Sequence, residues 1–431
     1  MVSEPLDWLF SLAQFGIKFG LDNIRSIIDA LDHPERAFRS IHVGGTNGKG
    51  SVTAIVEAAL RASGYRTGRY TSPHLLDLSE RFAIRGVPVS QVALVDAVAT
   101  VREVVDRLRA RGTLDVHPTF FEVTTAVGFE LFRRSGVEVA VCEVGLGGRL
   151  DATNVLHPMA CAITSIAFDH EQYLGHTLGA IAAEKAGIIK PETPVIVGDL
   201  GSEAAAVIAR VAHQQRAPLI PAMDGVAINH RSDAADGRQR FSLRTPAHDY
   251  GDVELALAGR HQVGNAVVAV RLLEQIARQG LRVDPDTVRH ALASVEWPGR
   301  LQHLSLAGGR ELLLDAAHNA AGAEALAAHL AALGDRRPLV FAAMRDKDAA
   351  GMIRALGAHA SLIVVTRASN PRAAEPSELA GLAQRLVPGV LVEMAQSPGE
   401  ALDRAWASSP RIVVAGSIFL IADVLKELSR S

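Results

Sequence analysis

Short apolar runs alternate with longer helical patterns along the first half of the chain. The stretch SIHVGG (40–45) predicts a strand, and SVTAIVEAALRASG (51–64) predicts a helix that ends at its glycine. The run VEVAVCEVG (137–145) is continuously apolar, as a strand covered on both faces should be. ACAITSIAF (160–168) and TPVIVG (193–198) repeat this pattern, with helical stretches such as TTAVGFELFRRSG and LGAIAAEKAG between them. The alternation indicates an α/β protein with a mainly parallel sheet.

The pattern changes twice in the second half. Segment 226–257 is rich in Asp, Arg and Gly and alternates weakly, which predicts a strand meander at one edge. Helical character returns over 261–280, and EWPGRLQ, from Glu296, has the Pro-Gly punctuation of a domain junction. Beyond it ELLLDAAHN, PLVFAAM, SLIVVTRAS, LVEMA and RIVVAGS predict a second α/β series. We therefore expect one domain over 1–296 and a smaller one over 297–431.

Composition adds a few constraints. The chain has 431 residues, long for one domain and comfortable for two, and 48% are apolar. No apolar run of bilayer length is free of charge, and the start MVSEPLDWLF resembles neither a signal nor a transit peptide. Cys142 and Cys161 are the only cysteines, as expected for a reducing cytoplasm. With 44 basic and 47 acidic residues the formal charge is −3, which argues against bulk nucleic-acid binding.

The stretch IHVGGTNGKGSVTA (41–54) resembles a phosphate-binding loop with unusual spacing. In the standard motif a hydroxyl residue directly follows the lysine, whereas here Gly50 separates Lys49 from Ser51. Its context fits, because a predicted strand precedes it and a predicted helix follows, so that backbone N–H groups and the helix dipole face the phosphates. Lys49 would neutralise the β and γ phosphates, and Ser51 or Thr46 could reach metal or phosphate. A glycine-rich turn without a ligand is the alternative.

Two further segments carry candidate polar groups. Glu143 stands at the end of a predicted buried strand, where open α/β sheets bind ligands, and its carboxylate could coordinate Mg²⁺. His170 also follows a strand, and it would lie near Glu143 if the two strands are neighbours. Lys185 falls on the next predicted helix. Taken singly, Glu143 could cap a turn, Asp151 could begin a helix or turn, and the histidine and lysine could be ordinary packed or surface residues.

Seven segments together match a known family. They are GTNGKGS, TSPHL, GLGGRLDATN, DHEQYLGHTLGAIAAEKAGIIK, LAGRHQVGNA, WPGR and DAAHN, in that order. The chain resembles the folylpolyglutamate synthases, more specifically their bacterial bifunctional dihydrofolate synthase/folylpolyglutamate synthase form, within the Mur ligase superfamily. The resemblance extends from FGLDNI (19–24) to GSIFLIADV (416–424). G-T-N-G-K-G-S is the form of the phosphate loop that this family uses.

The resemblance implies a fold and a reaction. The fold is α/β and Mur ligase-like, with a P-loop-containing, mainly parallel sheet domain followed by a smaller Rossmann-like C-terminal domain that completes the ATP site and binds glutamate. The reaction is ATP-dependent amide formation: ATP phosphorylates a carboxylate, and the amine of L-glutamate attacks the acyl phosphate. The acceptors are dihydropteroate and tetrahydrofolates with their polyglutamates, which connects the enzyme to folate biosynthesis and one-carbon metabolism. The implied protein is a cytoplasmic monomer without nucleic-acid or membrane partners.

The resemblance also implies roles for individual residues. Catalytic roles are implied for Lys49, His170 and Lys185, the last of them carbamylated. The metal ligands at two Mg²⁺ sites would be Ser72, Glu143 and His170, and a monovalent cation is a further candidate. ATP would be held between the domains by Thr46, Asn47, Gly48, Lys49, Gly50, Ser51, Asn265, Arg300, Asp315 and His318. The pterin and folate contacts would be Gly20, Leu21, Asp22, Asn23, Pro73, His74, Phe121, Glu122, Val123, Thr124, Ala152, Thr153 and Asn154.

Three alternatives stay open. The chain could act only on folates, as a folylpolyglutamate synthase without the dihydropteroate activity. It could be a Mur-type peptide ligase, although those enzymes carry a domain for the uridine nucleotide ahead of the ATP domain, and here the phosphate loop begins near residue 44. It could also be a nucleotide-binding regulator without catalysis, which would not need Glu143, His170 and Lys185 together. Core packing at a helix start likewise remains an alternative for Phe120 and Phe121.

Overall fold

The computed structural model describes residues 4–16, 20–233 and 237–429. Phe19, with which the family resemblance begins, lies outside these ranges. The strands are β1 Arg39–Gly44, β2 Thr67–Tyr70, β3 Phe82–Ile84, β4 Val87–Pro88, β5 Val139–Glu143, β6 Ala160–Ile163, β7 Val195–Val197, β8 Leu219–Pro221, β9 Ala227–Asp233, β10 Gln239–Arg244, β11 Asp249–Leu255, β12 Gln302–Ser305, β13 Glu311–Leu314, β14 Arg337–Phe341, β15 Ala360–Val365, β16 Leu391–Met394 and β17 Arg411–Ala415.

The helices alternate with these strands. They are α1 Glu4–Ser11, α2 Asp22–Ala30, α3 Lys49–Ala62, α4 Gln91–Ala110, α5 Phe120–Arg134, α6 Glu171–Leu174, α7 Leu178–Ala186, α8 Ser202–Gln214, α9 His261–Ala277, α10 Pro285–Ser294, α11 Ala320–Leu333, α12 Ala349–Gly357, α13 Pro376–Leu386, α14 Pro398–Ser408 and α15 Ile418–Leu428. Across the described residues, no helix combines the length and apolar character that crossing a bilayer requires.

The first sheet has eight strands in the order β4-β3-β2-β5-β1-β6-β7-β8. Six of them, from β2 to β8, run parallel, and the β3–β4 hairpin adds two antiparallel strands at one edge. The central strands β1, β5 and β6 are almost fully buried because helices cover both faces, as their continuous apolar sequences predict. The mainly parallel α/β domain is thereby confirmed.

A second sheet of six strands follows Glu296, in the order β12-β13-β17-β14-β15-β16. All of its strands are parallel except β12, which pairs antiparallel with β13. The five strands predicted for this half are present, whereas β12 carries only a short, half-exposed sequence that gave no signal. The boundary expected at residue 296 falls between α10 and β12, and its exact position stays a prediction.

Segment 226–257 forms its own antiparallel sheet, β9 to β11, instead of extending the edge of the main one. A buried polar cluster ties it to α9. The Glu274 carboxylate accepts hydrogen bonds from Tyr250 Oη at 3.1 Å and Thr245 Oγ1 at 2.5 Å. Arg271 Nη1 donates to its other oxygen at 2.9 Å, and both charged side chains are less than a tenth exposed. The meander is therefore anchored through one carboxylate.

Replacing Glu274 tests this anchor. Glu274→Ala leaves the buried Arg271 charge and two hydroxyl groups without their acceptor, so we expect the free energy of unfolding to fall by about 3–5 kcal/mol. Denaturant titration followed by circular dichroism measures it. The control is Glu254→Ala, whose carboxylate pairs with Arg238 and Arg240 at a largely solvated position and should cost at most about 1 kcal/mol. Equal losses in both variants would contradict the anchoring role.

Candidate active site

The phosphate loop lies where β1 gives way to α3. Gly45 and Gly48 have φ angles of +139° and +86°, and a Cβ at Gly48 would approach Asn265 Oδ1 to 2.3 Å. These positions therefore require glycine. Thr46 Oγ1 bonds to both backbone groups of Ala167, which fixes the loop to the chain after β6. Because α3 begins at Lys49, its first-turn N–H groups have no acceptor within the helix and are free to face an anion.

Two lysine ammonium groups converge on one carbonyl oxygen in this loop. Lys185 Nζ donates to Gly45 O at 2.8 Å, and Lys49 Nζ donates to the same oxygen at 3.2 Å and to Thr46 O at 3.1 Å. Lys185 is buried, and burial together with the nearby Lys49 charge lowers its pKa to about 7. Glu184, the preceding residue on α7, pairs with Arg149. The two lysine side chains at this loop are therefore hydrogen-bonded to neutral carbonyl groups and not to a carboxylate.

Glu143 ends β5 at the same edge of the sheet. Its Oε2 accepts from Ser72 N at 3.4 Å, and burial raises its pKa, against the opposing charges of Lys49, Arg300 and Arg69. β5 and β6 are separated by β1, so Glu143 and His170 do not follow neighbouring strands, although both line one cleft.

These groups suit a hard cation. The carboxylate of Glu143 and the hydroxyl of Ser72 are oxygen donors of the kind that Mg²⁺ prefers. The pKa of His170 is lowered to about 4 by burial, so its imidazole is neutral and able to act as a ligand. Among the described residues there is no group of three or more His, Cys, Asp and Glu side chains able to hold a metal alone. A Mg²⁺ ion here would therefore share phosphate oxygens and water with one or two protein ligands.

His170 is held by a residue of the second domain. Lys347 Nζ donates to His170 Nε2 at 3.1 Å and also forms an ion pair with the Asp169 carboxylate. His318 Nε2 lies 3.5 Å from Asp169 Oδ2, and although burial favours the neutral acid, the hydrogen bond from His318 and the Lys347 charge hold the pKa of Asp169 far below its usual range. The Asp169–Lys347 pair is 7% exposed on each side, so it is a buried ion pair across the two sheets. Domain contact and His170 orientation are thus coupled.

Asn319 makes a second bridge. Its Nδ2 donates to Asn47 Oδ1 at 3.0 Å and to Asp169 Oδ2 at 3.2 Å, and its Oδ1 accepts from Asn47 Nδ2 at 3.2 Å. The same Oδ1 accepts from Gly322 N at 2.8 Å and caps the N-terminus of α11. One buried amide therefore connects the phosphate loop, the residue before His170 and the first turn of a second-domain helix.

The remaining predicted ATP residues lie around one cleft of about 590 Å³. Asn265, on α9, donates to Gln262 Oε1 at 2.9 Å, and Arg300 Nη1 donates to Gly299 O at 3.3 Å. Asp315 accepts from the backbone amides of Leu301 and Ala317, which fixes the turn after β13. The cleft wall includes every residue to which the sequence assigned a triphosphate or metal contact: Thr46, Asn47, Gly48, Lys49, Gly50, Ser51, Ser72, Glu143, His170, Lys185, Asn265, Arg300, Asp315 and His318.

Of the predicted pterin contacts, only Pro73 and His74 line either of two clefts. Pro73 lines this cleft and a second one of about 700 Å³, and His74 lines the second only. Neither cleft includes the other predicted contacts, Gly20, Leu21, Asp22, Asn23, Phe121, Glu122, Val123, Thr124, Ala152, Thr153 and Asn154. Several of these have structural partners already: Glu122 completes the capping box of α5 with Thr119, Val123 is a core residue, and Phe121 packs against Tyr70.

Two of these residues nonetheless carry unsatisfied polar atoms. Asn23 Nδ2 and Asn154 Oδ1 are buried without a hydrogen-bond partner among the described residues. Asn154 Nδ2 is occupied, donating to Arg149 O at 2.9 Å and Gly187 O at 3.0 Å, so the orientation of this amide is determined. α2, which carries Asn23, packs against the short 3-10 turn that contains Asn154. One unpaired donor and one unpaired acceptor therefore lie on neighbouring elements.

Sequence reasoning missed Asp169, Asn319 and Lys347. Asp169 and Asn319 directly adjoin the predicted site residues His170 and His318 in the sequence, and this proximity could have identified them. Lys347 stands in no segment that was noted, and its role depends on contact between sheets that no local pattern reveals.

Comparison with known proteins places these features in a family. Residues 94–273 match the Mur ligase middle domain and residues 299–418 match the Mur ligase, glutamate ligase domain. The chain is 32% identical over 438 residues to the dihydrofolate synthase/folylpolyglutamate synthase of Bacillus subtilis, covering 99% of this chain and 98% of that protein.

Solved structures of other proteins share the fold of this chain. Mycobacterium tuberculosis folylpolyglutamate synthase, complexed with ADP and AMPPCP, superimposes with a TM-score of 0.90 at 35% identity, covering 99% of both chains. E. coli FolC, in complex with DHPP and ADP, gives a TM-score of 0.86 at 29% identity, covering 100% of this chain and 99% of that one.

The Asn319 bridge gives a testable prediction. Asn319→Ser retains a side-chain oxygen that can cap α11 but loses both Nδ2 donations, so the phosphate loop is less well fixed. We expect the Kd for ATP to rise about tenfold, which calorimetry measures, with a melting temperature near that of the parent. Asn319→Ala, which also loses the cap, should show a similar Kd but lose about 1 kcal/mol of stability. A serine variant with unchanged Kd would show that the bridge does not position the loop.

Proposed function

Because this chain belongs to the dihydrofolate synthase/folylpolyglutamate synthase family of the Mur ligases, we propose that it joins L-glutamate to dihydropteroate and to tetrahydrofolates. It is an ATP-dependent ligase. Two features of the chain together support the substrate proposal. One is the phosphate loop with the ammonium groups of Lys49 and Lys185, and the other is the pair of unsatisfied side-chain amides of Asn23 and Asn154.

The chemistry needs a carboxylate to become an electrophile. Transfer of the γ-phosphoryl group of ATP to the acceptor carboxylate gives an acyl phosphate, whose phosphate then leaves as the glutamate amine attacks the carbonyl carbon. Phosphate and carboxylate repel one another, so their approach requires positive charge at the junction. Lys49 would neutralise the phosphates, and Arg300, on the same cleft wall, would add a second cation. Bound Mg²⁺ would supply further charge neutralisation, with Ser72, Glu143 and His170 as its protein ligands.

Strand order gives the direction in which ATP would lie. The phosphate loop follows β1, while Gly198 and Met223 follow β7 and β8, farther along the same sheet. The base would therefore lie toward Met223, against Leu326 of α11, with the phosphates at Lys49. Because α11 and the Asp315 turn belong to the second domain, contact between the domains would exclude water from the acyl phosphate.

Lys185 fits carbamylation. A carbamate forms only on a neutral amine, and a pKa of about 7 leaves a large neutral fraction near physiological pH. The reaction replaces a positive group with a negative one beside Lys49, which relieves the repulsion between two ammonium groups on Gly45 O. The carboxylate so formed would add an oxygen donor next to the proposed metal site. The cytoplasmic location and monomeric state expected from the sequence stay predictions.

The function is tested by product analysis. The enzyme is incubated with ATP, Mg²⁺ and labelled glutamate, together with dihydropteroate or tetrahydrofolate in separate reactions, and products are resolved by chromatography. We expect labelled dihydrofolate and labelled folylpolyglutamates, respectively, with equimolar release of phosphate. Lys49→Ala should lose both activities by at least about 100-fold at an unchanged melting temperature. Elongation of folates alone would refute the dihydropteroate activity, and ligation by Lys49→Ala at near-normal rate would refute the phosphate-loop assignment.

Carbamylation predicts a dependence on dissolved CO₂ and pH. At fixed CO₂ the carbamylated fraction should rise as pH rises through about 7, because the amine loses its proton, and should fall below that pH. Native mass spectrometry should detect one added CO₂, which Lys185→Ala abolishes together with most activity. Lys190→Ala is the matched control, since that lysine also has a lowered pKa, of about 8, but bonds to Asn154 O away from the phosphate loop. Full activity with unmodified Lys185 would contradict the carbamate.

A further inference from the structure

Arg69, on β2, has a largely buried guanidinium that forms no hydrogen bond with the residues the structure describes. Its side chain is 14% exposed. The guanidinium carbon lies 5.0 Å from the centroid of the Trp297 ring, and the closest carboxylate oxygen, Glu57 Oε2, is 4.0 Å from Nη1. Burial lowers the pKa of Arg69. The Nε–H of this largely buried cation therefore lacks an acceptor, which is costly unless a ligand supplies one.

Charge compensation of Glu57 does not account for this arginine. Glu57 Oε1 accepts from Thr67 Oγ1 at 2.6 Å and lies 3.5 Å from Arg61 Nε. The carboxylate thus has a hydrogen-bond donor and a nearer cation already. Arg69 instead makes a cation–π contact with the Trp297 ring, which leaves its Nε–H available to another acceptor.

Arg69 lines the second cleft, which adjoins the ATP cleft. The two clefts share six wall residues: Gly50, Ser72, Pro73, Glu143, Arg300 and Ala316. Arg69 and Glu143 lie close enough for each charge to shift the pKa of the other, so the guanidinium is near the junction where the clefts meet. A substrate that enters through the second cleft would reach the phosphate end of the first at this junction.

We propose that Arg69 binds the α-carboxylate of the terminal glutamyl residue of a glutamylated acceptor, and that the second cleft holds the preceding part of its γ-linked chain. The inference rests on the proposed ligase function and deepens it. In such an acceptor the reacting γ-carboxylate lies one short side chain away from its own α-carboxylate. A guanidinium can take that α-carboxylate with two parallel hydrogen bonds and so aim the γ-carboxylate at the ATP phosphates.

The chemistry distinguishes the two acceptor classes. Dihydropteroate reacts through a benzoate carboxylate and has no neighbouring α-carboxylate, so it gains nothing from Arg69. A glutamylated folate carries at least one. Arg69 should therefore determine the affinity for glutamylated acceptors alone, and this selectivity gives the experiment its internal control.

The test is Arg69→Met, assayed with dihydropteroate, tetrahydrofolate and a tetrahydrofolate diglutamate. We expect KM for both glutamylated acceptors to rise about 10-fold to 100-fold, with KM for dihydropteroate and ATP unchanged. Arg69→Lys, which keeps the charge but loses the planar fork, should fall between the parent and Arg69→Met. Equal effects on all acceptors, or no effect on any, would overturn the proposal.

Two further measurements exclude indirect effects. A tetrahydrofolate whose glutamyl α-carboxylate is replaced by a carboxamide should bind the parent enzyme as poorly as the natural acceptor binds Arg69→Met, and the two changes together should not add. The double variant Glu57→Gln/Arg69→Met should remain impaired. If the double variant regains the KM of the parent enzyme, the role of Arg69 is only to neutralise the charge of Glu57. If the effects of the carboxamide and of Arg69→Met on KM add, the α-carboxylate binds at another position. If the parent enzyme ligates glutamate to no acceptor, the proposed function itself fails, whereas unchanged kinetics in an active Arg69→Met overturns only the present inference.

Discussion

The structure depends on a charge imbalance at one carbonyl oxygen. Lys49 and Lys185 both donate to Gly45 O, although like charges at this distance in a buried site repel one another. Burial lowers the pKa of Lys185 to about 7, and the nearby Lys49 charge acts in the same direction. Phosphate at the loop and a carbamate on Lys185 would each relieve the repulsion. The site is thus organised for anions before any arrives, which is the condition for electrostatic preorganisation.

The second domain is part of this arrangement. Lys347 and Asn319 reach across to Asp169, His170 and Asn47, so the contact between the sheets sets the positions of groups on the first sheet. Removing one partner of the buried Asp169–Lys347 pair would leave the other charge uncompensated. The two sheets therefore form the candidate active site together, and separating them would break the hydrogen bonds that fix His170 and the phosphate loop.

Local patterns predicted much of the fold and the centre of the site. The phosphate loop, Glu143 and Lys185 could be found because each lies at a strand end or on a helix with a strong pattern, and the family resemblance connected them. β12 escaped because half-exposed residues such as Gln302 give no clear alternation. Lys347 and Arg69 were not predicted for another reason. They contact residues distant in sequence, Asp169 and Trp297, and such contacts cannot be inferred from local sequence spacing.

The central claim is that a nucleotide triphosphate binds between the two sheets and prepares a carboxylate for amide formation. A crystal structure with Mg²⁺, a non-hydrolysable ATP analogue and an acceptor tests it most directly. We expect phosphates on the first-turn amides of α3 and Lys49, the base toward Met223 and Leu326, and the acceptor carboxylate between Glu143 and Arg300. A nucleotide bound elsewhere, with this cleft holding only solvent, would contradict it.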